Sequence, residues 1–295
     1  MAALLDQPAS LEDALDRLAN TGARPIAGGV GVLLARRLGR EIDGRWISIG
    51  QLPELRGIDH DQPPGTLVVG AAVTLAELGG SSVARTHAPL LAAAAGVAAS
   101  AGIRTIATVG GNIHDQPANS DLVAAAMALD ASMIARSATG ERPIPLRSLA
   151  SATDLLGKGE MSIALQVPGA GGQGWSLQRL QVQGRGDRPA VTLALQLVAE
   201  RGVVSAVGAA ATFLADRPID LRGLATALVE VPLEKVASRA VVQRVEGAVL
   251  EVVDQAVKSG VSLVDDVRAS STYRRDVTAV LAGRAAIEAA QWSAP

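Results

Sequence analysis

Two glycine-rich turns give the sequence its clearest chemical signal. Each follows an apolar segment: the first is Ala27-Gly28-Gly29-Val30-Gly31, and the second is Thr108-Val109-Gly110-Gly111-Asn112. Because glycine has no Cβ atom, the backbone N–H groups of such turns can approach a phosphate closely. Two of them in one domain could hold a diphosphate between them, although each turn alone is also typical of ordinary chain reversal.

Neither turn matches a standard nucleotide motif. The first lacks the Gly-x-Gly-x-x-Gly spacing of a Rossmann dinucleotide site, and the chain contains no Gly-x-x-x-x-Gly-Lys-Ser/Thr segment of a P-loop. From the residues alone, the sequence therefore predicts a diphosphate-binding domain of a different type.

The three histidines do not indicate a metal site. His60, His87 and His114 are scattered, with no pair at i, i+4 spacing and no neighbouring cluster of carboxylates. We expect His60 and His87 to be surface residues of polar segments. His114 follows the second glycine turn, so it is either close to a bound ligand or an ordinary loop histidine.

Composition excludes several classes of protein. The chain has 295 residues and no cysteine, which excludes disulfides, thiolate zinc sites, iron–sulfur clusters ligated by this chain and a cysteine nucleophile. Its formal net charge of −2 gives no bulk attraction to nucleic acid or anionic lipid.

Aromatic residues make up only 2%, so a flat ligand must be held mainly by backbone and aliphatic groups. We see no secretory signal and no apolar run of about 18 residues, and expect a cytoplasmic protein without a membrane span.

The elements that must position the two turns mix helices and strands. Residue periodicity predicts helices at 10–20, 75–78, 89–101, from 121 onward, 236–255 and 273–289, with Ser10 as the first N-cap. It predicts strands at 45–49, 66–71, 103–109, 133–135 and 162–165, and apolar segments at 190–199 and 205–214. The second glycine turn should therefore end a strand, with a loop at 113–120. A run of small residues at 168–174 predicts a boundary between two domains.

Three segments resemble one known family. The second turn, in Ile103-Arg-Thr-Ile-Ala-Thr-Val-Gly-Gly-Asn-Ile113 with Ser120-Asp121-Leu122, resembles the second FAD motif of the medium subunits of molybdenum hydroxylases. These are the flavoprotein subunits of carbon monoxide dehydrogenase and of enzymes like xanthine dehydrogenase. Residues 24–34 are similar to the first FAD motif, and residues 265–275 resemble the end of the family's C-terminal domain. Since the segments occur in the expected order over nearly the whole chain, the sequence is identified as a member of this family.

The resemblance implies an α+β fold with two domains. A two-subdomain PCMH-type FAD-binding domain would cover 1–168, with a small subdomain at about 1–52 and a larger one at about 53–168. A smaller α/β C-terminal domain of the CO dehydrogenase flavoprotein type would follow at 175–295.

The resemblance also implies which residues bind FAD, with backbone amides of both turns on the diphosphate. The expected cofactor-binding residues are Ala27, Gly28, Gly29, Val30, Gly31, Val32, Leu33, Thr108, Val109, Gly110, Gly111, Asn112 and Asp121. No catalytic side chain and no metal ligand is expected on this chain. Val30-Gly31 departs from the family pattern, which has Thr or Gln followed by Asp or Ser, so hydroxyl contacts would be lost there.

The implied function is that of an oxidoreductase subunit. This chain would carry FAD and transfer electrons to an external acceptor, receiving them from [2Fe-2S] clusters on a small iron–sulfur subunit. A large molybdopterin subunit would hold the substrate site, and the heterotrimer would form a dimer. Two alternatives remain at this point: a stand-alone flavin oxidoreductase of the related fold, which would need its own general acid, and a scaffold subunit that has lost FAD.

Overall fold

The computed structural model describes residues 4–40, 42–60, 65–150, 155–169, 174–182 and 188–292. Its strands are β1 (Leu4–Asp6), β2 (Arg24–Ile26), β3 (Arg45–Ser48), β4 (Ile58–His60), β5 (Thr66–Gly70), β6 (Ser132–Ser137), β7 (Gly140–Pro145), β8 (Met161–Pro168), β9 (Gly174–Leu180), β10 (Val191–Glu200), β11 (Val203–Thr212) and β12 (Ile219–Asp220). Its helices are α1 (Leu11–Thr21), α2 (Val30–Arg37), α3 (Leu75–Gly80), α4 (Ser82–His87), α5 (Pro89–Val97), α6 (Ala101–Arg104), α7 (Val109–Asp115), α8 (Asp121–Ala128), α9 (Ala225–Leu228), α10 (Arg239–Lys258) and α11 (Ser271–Trp292).

The described strands form three sheets, one after another along the chain. The first is parallel, in the order β1-β3-β2, and is connected through α1 and α2. The second is antiparallel, in the order β4-β5-β8-β6-β7. The third is antiparallel, in the order β12-β11-β10-β9. None of the described helices is both long and apolar enough to cross a membrane.

Helix α1 anchors the first sheet. Its apolar residues recur at helical spacing, and Leu11, Ala14, Leu15 and Leu18 are all buried. The Ser10 side chain accepts a hydrogen bond from the Asp13 N–H, so the predicted N-cap is confirmed. Helix α1 packs on β3, and β3 pairs with β2, which sets the point where the chain leaves β2 for the first glycine turn.

Alanine-rich helices pack against the second sheet and form the central core. Every residue of α8 is buried, and α5 and α8 contribute to one apolar cluster with β5, β6 and β8. Alanine side chains let helix backbones approach closely, so this core closes without large aromatic residues. Helix α7, which carries the second glycine turn, packs between α8 and β8.

The third sheet has a different neighbour on each face, because successive side chains of a strand point to opposite sides. On one face, Leu193, Leu195 and Leu197 of β10 join a cluster with α10 and α11. On the other face, Ala194 of β10 and Ala210 of β11 join the central core around α8. The C-terminal part of the chain therefore packs directly against the helix that follows the second glycine turn.

The strand predicted at 103–109 is wrong. Residues of this segment belong to α6 and, after a turn, to the beginning of α7. Isoleucine and threonine suggested a strand, but Ser100 caps the Ile103 N–H and Thr108 caps the Gly111 N–H, and each cap starts a short helix. The loop predicted at 113–120 is wrong at its start, because His114 lies on α7.

The other predicted elements are confirmed, with small shifts of their ends. Predicted helix 89–101 ends earlier, at Val97, since Ala98 is extended and Ala99 has a φ of 51°. Predicted helices 236–255 and 273–289 correspond to α10 and α11. Part of the predicted boundary at 168–174 lies outside the described residues.

Candidate functional site

The two glycine turns meet in direct backbone contact. A Cβ atom on Gly28 would lie 1.7 Å from the carbonyl oxygen of Ile106, so only glycine allows this approach. Beside the contact is a cavity of about 330 Å³ between α2 and α7. Its lining includes most of the predicted residues, namely Ala27, Gly28, Gly29, Val30, Gly31, Val32, Thr108, Gly111 and Asn112.

Two further cavities adjoin the first. One of about 530 Å³ lies toward Arg56 and Glu77, and one of about 130 Å³ lies toward Ser162. All three share Ala27 and Thr108 in their linings. The site is therefore an extended one, suited to a long ligand that passes the two glycine turns at its middle.

The first glycine turn presents free backbone donors. Gly29 adopts a left-handed conformation with a φ of 70° and starts α2 without a side-chain cap. Among the described residues, no acceptor is found for the backbone N–H groups from Gly28 to Val32. The first N–H groups of a helix have no carbonyl of their own to bind, and the helix dipole adds positive potential there. This turn is therefore an anion-binding surface.

The second glycine turn uses its backbone donors internally. The pairs are Val109 N–H to the Val73 oxygen, Gly110 N–H to the Ala71 oxygen, Gly111 N–H to Thr108 Oγ1, and Asn112 N–H to the Thr108 oxygen. The turn is held in this way against the segment that follows β5. The geometry does not favour the expectation that its amides also bind a diphosphate.

Asn112 offers a side-chain amide donor in the second turn. Its Oδ1 atom accepts a hydrogen bond from Ser120 Oγ at 2.5 Å, which fixes the orientation of the amide group. The Nδ2 group is left as a double donor on a residue that lines the cavity.

An acidic side chain also lines the cavity. The carboxylate of Asp115 lies so close to Gly31 that a Cβ atom on Gly31 would be 2.3 Å from it. Burial raises the pKa of Asp115, and the positive charges of Arg40 and Arg188 oppose that rise. The departure from the family pattern at position 31 thus provides the space that Asp115 occupies. Sequence reasoning missed Asp115, because only the helical turn of α7 brings it back to the cavity.

His114 lies at the cavity and not in a loop. It lines both the main cavity and the smallest one, and its Nε2 atom is 2.5 Å from Ser162 Oγ. His60 and His87 lie elsewhere, with their rings stacked at a centroid distance of 3.4 Å.

Three predicted residues are outside the linings of these cavities. Leu33 is exposed on α2, and Val109 is fully buried beneath the second turn. Asp121 is buried and forms a bidentate ion pair with Arg179, at 2.8 and 3.2 Å, while accepting a hydrogen bond from Thr192 at 2.6 Å. Burial raises the pKa of Asp121, against the opposing effect of Arg179. The ion pair joins α8 to the third sheet, and a cofactor contact by Asp121 stays a prediction.

A buried arginine holds together segments of the C-terminal part of the chain. Arg274 of α11 is 1% exposed, donates to the backbone oxygens of Ala190 and Phe213, and pairs with Asp266. The Phe213 N–H in turn donates to the Ala118 oxygen at 2.6 Å, just before α8. Within the segment 265–275 that carried the family resemblance, Arg274 therefore has a structural role, and hydropathy gives no sign that this arginine is buried.

Comparison with known proteins gives a consistent family. Residues 4–170 match the family described as the FAD binding domain in molybdopterin dehydrogenase. The chain is 28% identical to the carbon monoxide dehydrogenase medium chain of Hydrogenophaga pseudoflava, over 94% of this chain and 93% of that one. It is 35% identical to the xanthine dehydrogenase FAD-binding subunit of Escherichia coli O157:H7, over 47% of each chain.

A solved structure is similar over the whole length. It is carbon monoxide dehydrogenase from Hydrogenophaga pseudoflava lacking the Mo-pyranopterin moiety of its cofactor, with a TM-score of 0.88 at 25% identity. The match covers 100% of this chain and 99% of that one. The predicted family resemblance and mixed α+β fold class are both confirmed.

Proposed function

Because the chain belongs to the family of FAD-binding domains in molybdopterin dehydrogenases, we propose that it is the FAD-carrying electron-transfer subunit of a multisubunit molybdenum hydroxylase. It is an oxidoreductase component, as its relatives are dehydrogenase subunits. In the proposed complex, a small subunit carries [2Fe-2S] clusters and a large subunit carries molybdopterin. The assembly is a cytoplasmic dimer of heterotrimers, and the chain passes electrons to an external acceptor.

The observation that carries this proposal is the row of backbone N–H groups from Gly28 to Val32, for which the described part of the chain offers no acceptor. FAD contains a diphosphate between its flavin and its adenosine, and a diphosphate needs several donors at close range. The cavity supplies them at the N-terminus of α2, where missing side chains leave room. Asn112 adds a side-chain donor from the opposite wall. The residues present therefore fit the cofactor.

The chain's own part in the chemistry is binding and orientation. A bound flavin would supply the redox chemistry between the iron–sulfur subunit and the external acceptor. The first turn would hold the diphosphate, while the cavities on either side of Ala27 and Thr108 would receive the two ends of the cofactor. His114, in contact with Ser162, would shape the wall of the site.

The division into domains is also a proposal. We keep the boundaries 1–168 and 175–295, with a subdomain division near residue 52. Three apolar clusters support this division, one around α1, one around α5 and α8, and one around α10 and α11, with Ala194 and Ala210 of the third sheet joining the central one.

A binding experiment on the purified chain tests the proposal. The cofactor released on denaturation is identified by mass, and the stripped chain is titrated with FAD, riboflavin and ADP. If the diphosphate is the main anchor, FAD binds, ADP competes with it, and riboflavin binds far more weakly. Equal affinity for riboflavin and FAD would contradict the assignment of the first turn. Failure to bind FAD at all would refute the proposed function.

A further inference from the structure

Ala99 has a backbone conformation that is unusual for its residue type. It lies between α5 and α6 with a φ of 51°, in the left-handed region that residues with a Cβ atom rarely adopt. Such strain persists only where the surrounding structure holds the backbone in place, and strained residues cluster at ligand sites. Ala99 lines the main cavity. The other described non-glycine residues with a positive φ are absent from the linings of all three cavities, namely Asp130, Arg201, Phe213 and Glu230.

The side chain of Arg104 holds this strained turn. Its Nη1 group donates to the backbone oxygen of Ala98 at 3.2 Å and to that of Ala99 at 2.8 Å. Arg104 lies on α6, the helix that begins directly after the turn. One charged group therefore ties both carbonyls of the turn to the next helix, and hydrogen bonds from a charged donor are stronger than those between neutral groups.

The turn contributes to an aliphatic wall of the main cavity. This wall consists of Leu75, Ala99, Ile103 and Ala107. Arg104 is absent from the linings of the three cavities, so any effect it has on a ligand passes through the turn. Among the described residues, no tryptophan, tyrosine or phenylalanine lines these cavities, so a flat ring bound there has to pack on aliphatic groups.

We propose that Arg104 is a positioning residue for the cofactor: by holding the Ala99 turn, it places the aliphatic wall on which one flat heteroaromatic ring of FAD packs. The inference rests on the proposed function. FAD carries such a ring at each end, isoalloxazine at one and adenine at the other, and both present a flat face to an aliphatic wall. A wall that is fixed before binding does not have to be ordered when the ring arrives, and this favours binding.

The test titrates the stripped full chain with FAD, FMN and ADP, because FMN and ADP carry the two rings separately. Arg104→Met removes the donors but keeps an apolar side chain. FAD should bind this variant about tenfold more weakly, the size expected for loss of a hydrogen bond from a charged group. The affinity for either FMN or ADP, but not for both, should fall with it. Arg104→Lys keeps a cationic donor and should recover part of the FAD affinity.

Ala99→Gly separates positioning from stability. Glycine adopts the left-handed conformation without strain, so the thermal midpoint of the stripped chain should rise. The same variant removes a methyl group from the wall, so FAD should bind about fourfold more weakly, as expected for one methyl group of apolar contact. A merely structural role of the turn would move stability and affinity in the same direction.

Matched controls lie away from the cavities. Arg201 has the same φ of 51° in the turn between β10 and β11. Arg201→Gly should raise the thermal midpoint and leave FAD affinity unchanged. Arg85 is exposed on α4 and absent from the cavity linings, and Arg85→Met makes the same chemical change as Arg104→Met. This variant should bind all three ligands as the wild type does.

The possible results separate the two proposals. Wild-type FAD affinity in both Arg104→Met and Ala99→Gly would overturn the positioning role while leaving the proposed function in place. Equal weakening of FMN and ADP by Arg104→Met would also overturn it, because the loss would then be a general loosening of the site. A wild-type chain that binds neither FAD nor FMN nor ADP would refute the proposed function, and this inference with it.

Discussion

The two glycine turns have similar sequences but use their backbones differently. In the first, the N–H groups from Gly28 to Val32 have no acceptor among the described residues. In the second, the N–H groups from Val109 to Asn112 all donate within the chain. The difference arises from the start of each helix: Gly29 provides no side-chain cap, whereas Thr108 does. In this chain the glycine turn with free donors is the one whose helix is uncapped and whose amides no neighbouring segment accepts among the described residues.

The largest expected effect comes from the backbone contact between the turns. In Gly28→Ala, the new Cβ atom would collide with the carbonyl oxygen of Ile106, which cannot move as a side chain could. We expect the free energy of unfolding to fall by about 3 kcal/mol, at the upper end for overpacking, with loss of FAD. Urea unfolding measures the change.

Gly96→Ala is the matched control for that substitution. Gly96 lies in α5, and a Cβ atom there would meet no other atom within 4 Å. Since alanine favours a helix over glycine, this variant should be more stable by about 0.5–1 kcal/mol. Equal effects of the two substitutions would show that the turns do not touch as described.

The next effect tests the side-chain amide donor of Asn112 in the second turn. Asn112→Asp keeps an oxygen for Ser120 but replaces the Nδ2 donor with a negatively charged oxygen. FAD affinity should fall about 10- to 100-fold, corresponding to loss of a charge-assisted hydrogen bond. Fluorescence titration measures it. Asn119→Asp, outside the cavity linings, should change FAD affinity little, and an equal loss there would argue against a specific contact by Asn112.

A smaller effect concerns the cap of the second turn. Thr108→Ala removes the oxygen that accepts from the Gly111 N–H. The free energy of unfolding should fall by about 1 kcal/mol, as for other N-cap losses. Thr108→Ser keeps the hydroxyl and should restore most of it. If alanine and serine gave the same thermal midpoint, the cap would not be what holds this turn.

The smallest effect concerns charge at the first turn. Burial raises the pKa of Asp115, so its carboxyl group stays protonated to a higher pH than an ordinary aspartate. As pH rises through that pKa, a negative charge appears beside the proposed diphosphate site. FAD affinity should therefore be highest at acidic pH and decrease as the group ionises.

The variant Asp115→Asn should weaken this pH dependence. At neutral pH the variant should bind FAD more tightly than the wild type, by about fivefold or less. This is the size expected when one negative charge near the diphosphate is removed in a site that water reaches. The measurement is FAD titration of both proteins over a pH series. Parallel pH profiles for the variant and the wild type would assign the dependence to another group.

Sequence patterns predicted the elements that local signals define. The periodic leucines and the Ser10 cap identified α1, alternating apolar residues identified β3, and a short apolar run identified β5. The segment 103–109 was predicted as a strand because its side chains are β-branched, although threonine also caps helices. Both glycine turns were recognised, and the cavity lies where they meet.

Contacts between distant residues could not be predicted in this way. Two amides of the second turn, those of Val109 and Gly110, bind the oxygens of Val73 and Ala71, which lie more than thirty residues earlier in the chain. The pairing of Gly31 with Asp115 likewise exists only in three dimensions. Arginine is a residue type usually found at the surface. Only the three-dimensional structure shows that Arg274 is buried and donates to the backbone oxygens of Ala190 and Phe213.

Hydrogen–deuterium exchange, compared between the FAD-stripped and FAD-loaded chain, tests the contrast between the two turns most directly. In the stripped chain, the amides from Gly28 to Val32 should exchange quickly, and those from Val109 to Asn112 should exchange slowly because they are already hydrogen-bonded. FAD should protect the first group and leave the second nearly unchanged. Protection that appears only at the second turn, with the first unaffected, would contradict the assignment of the diphosphate to the first turn.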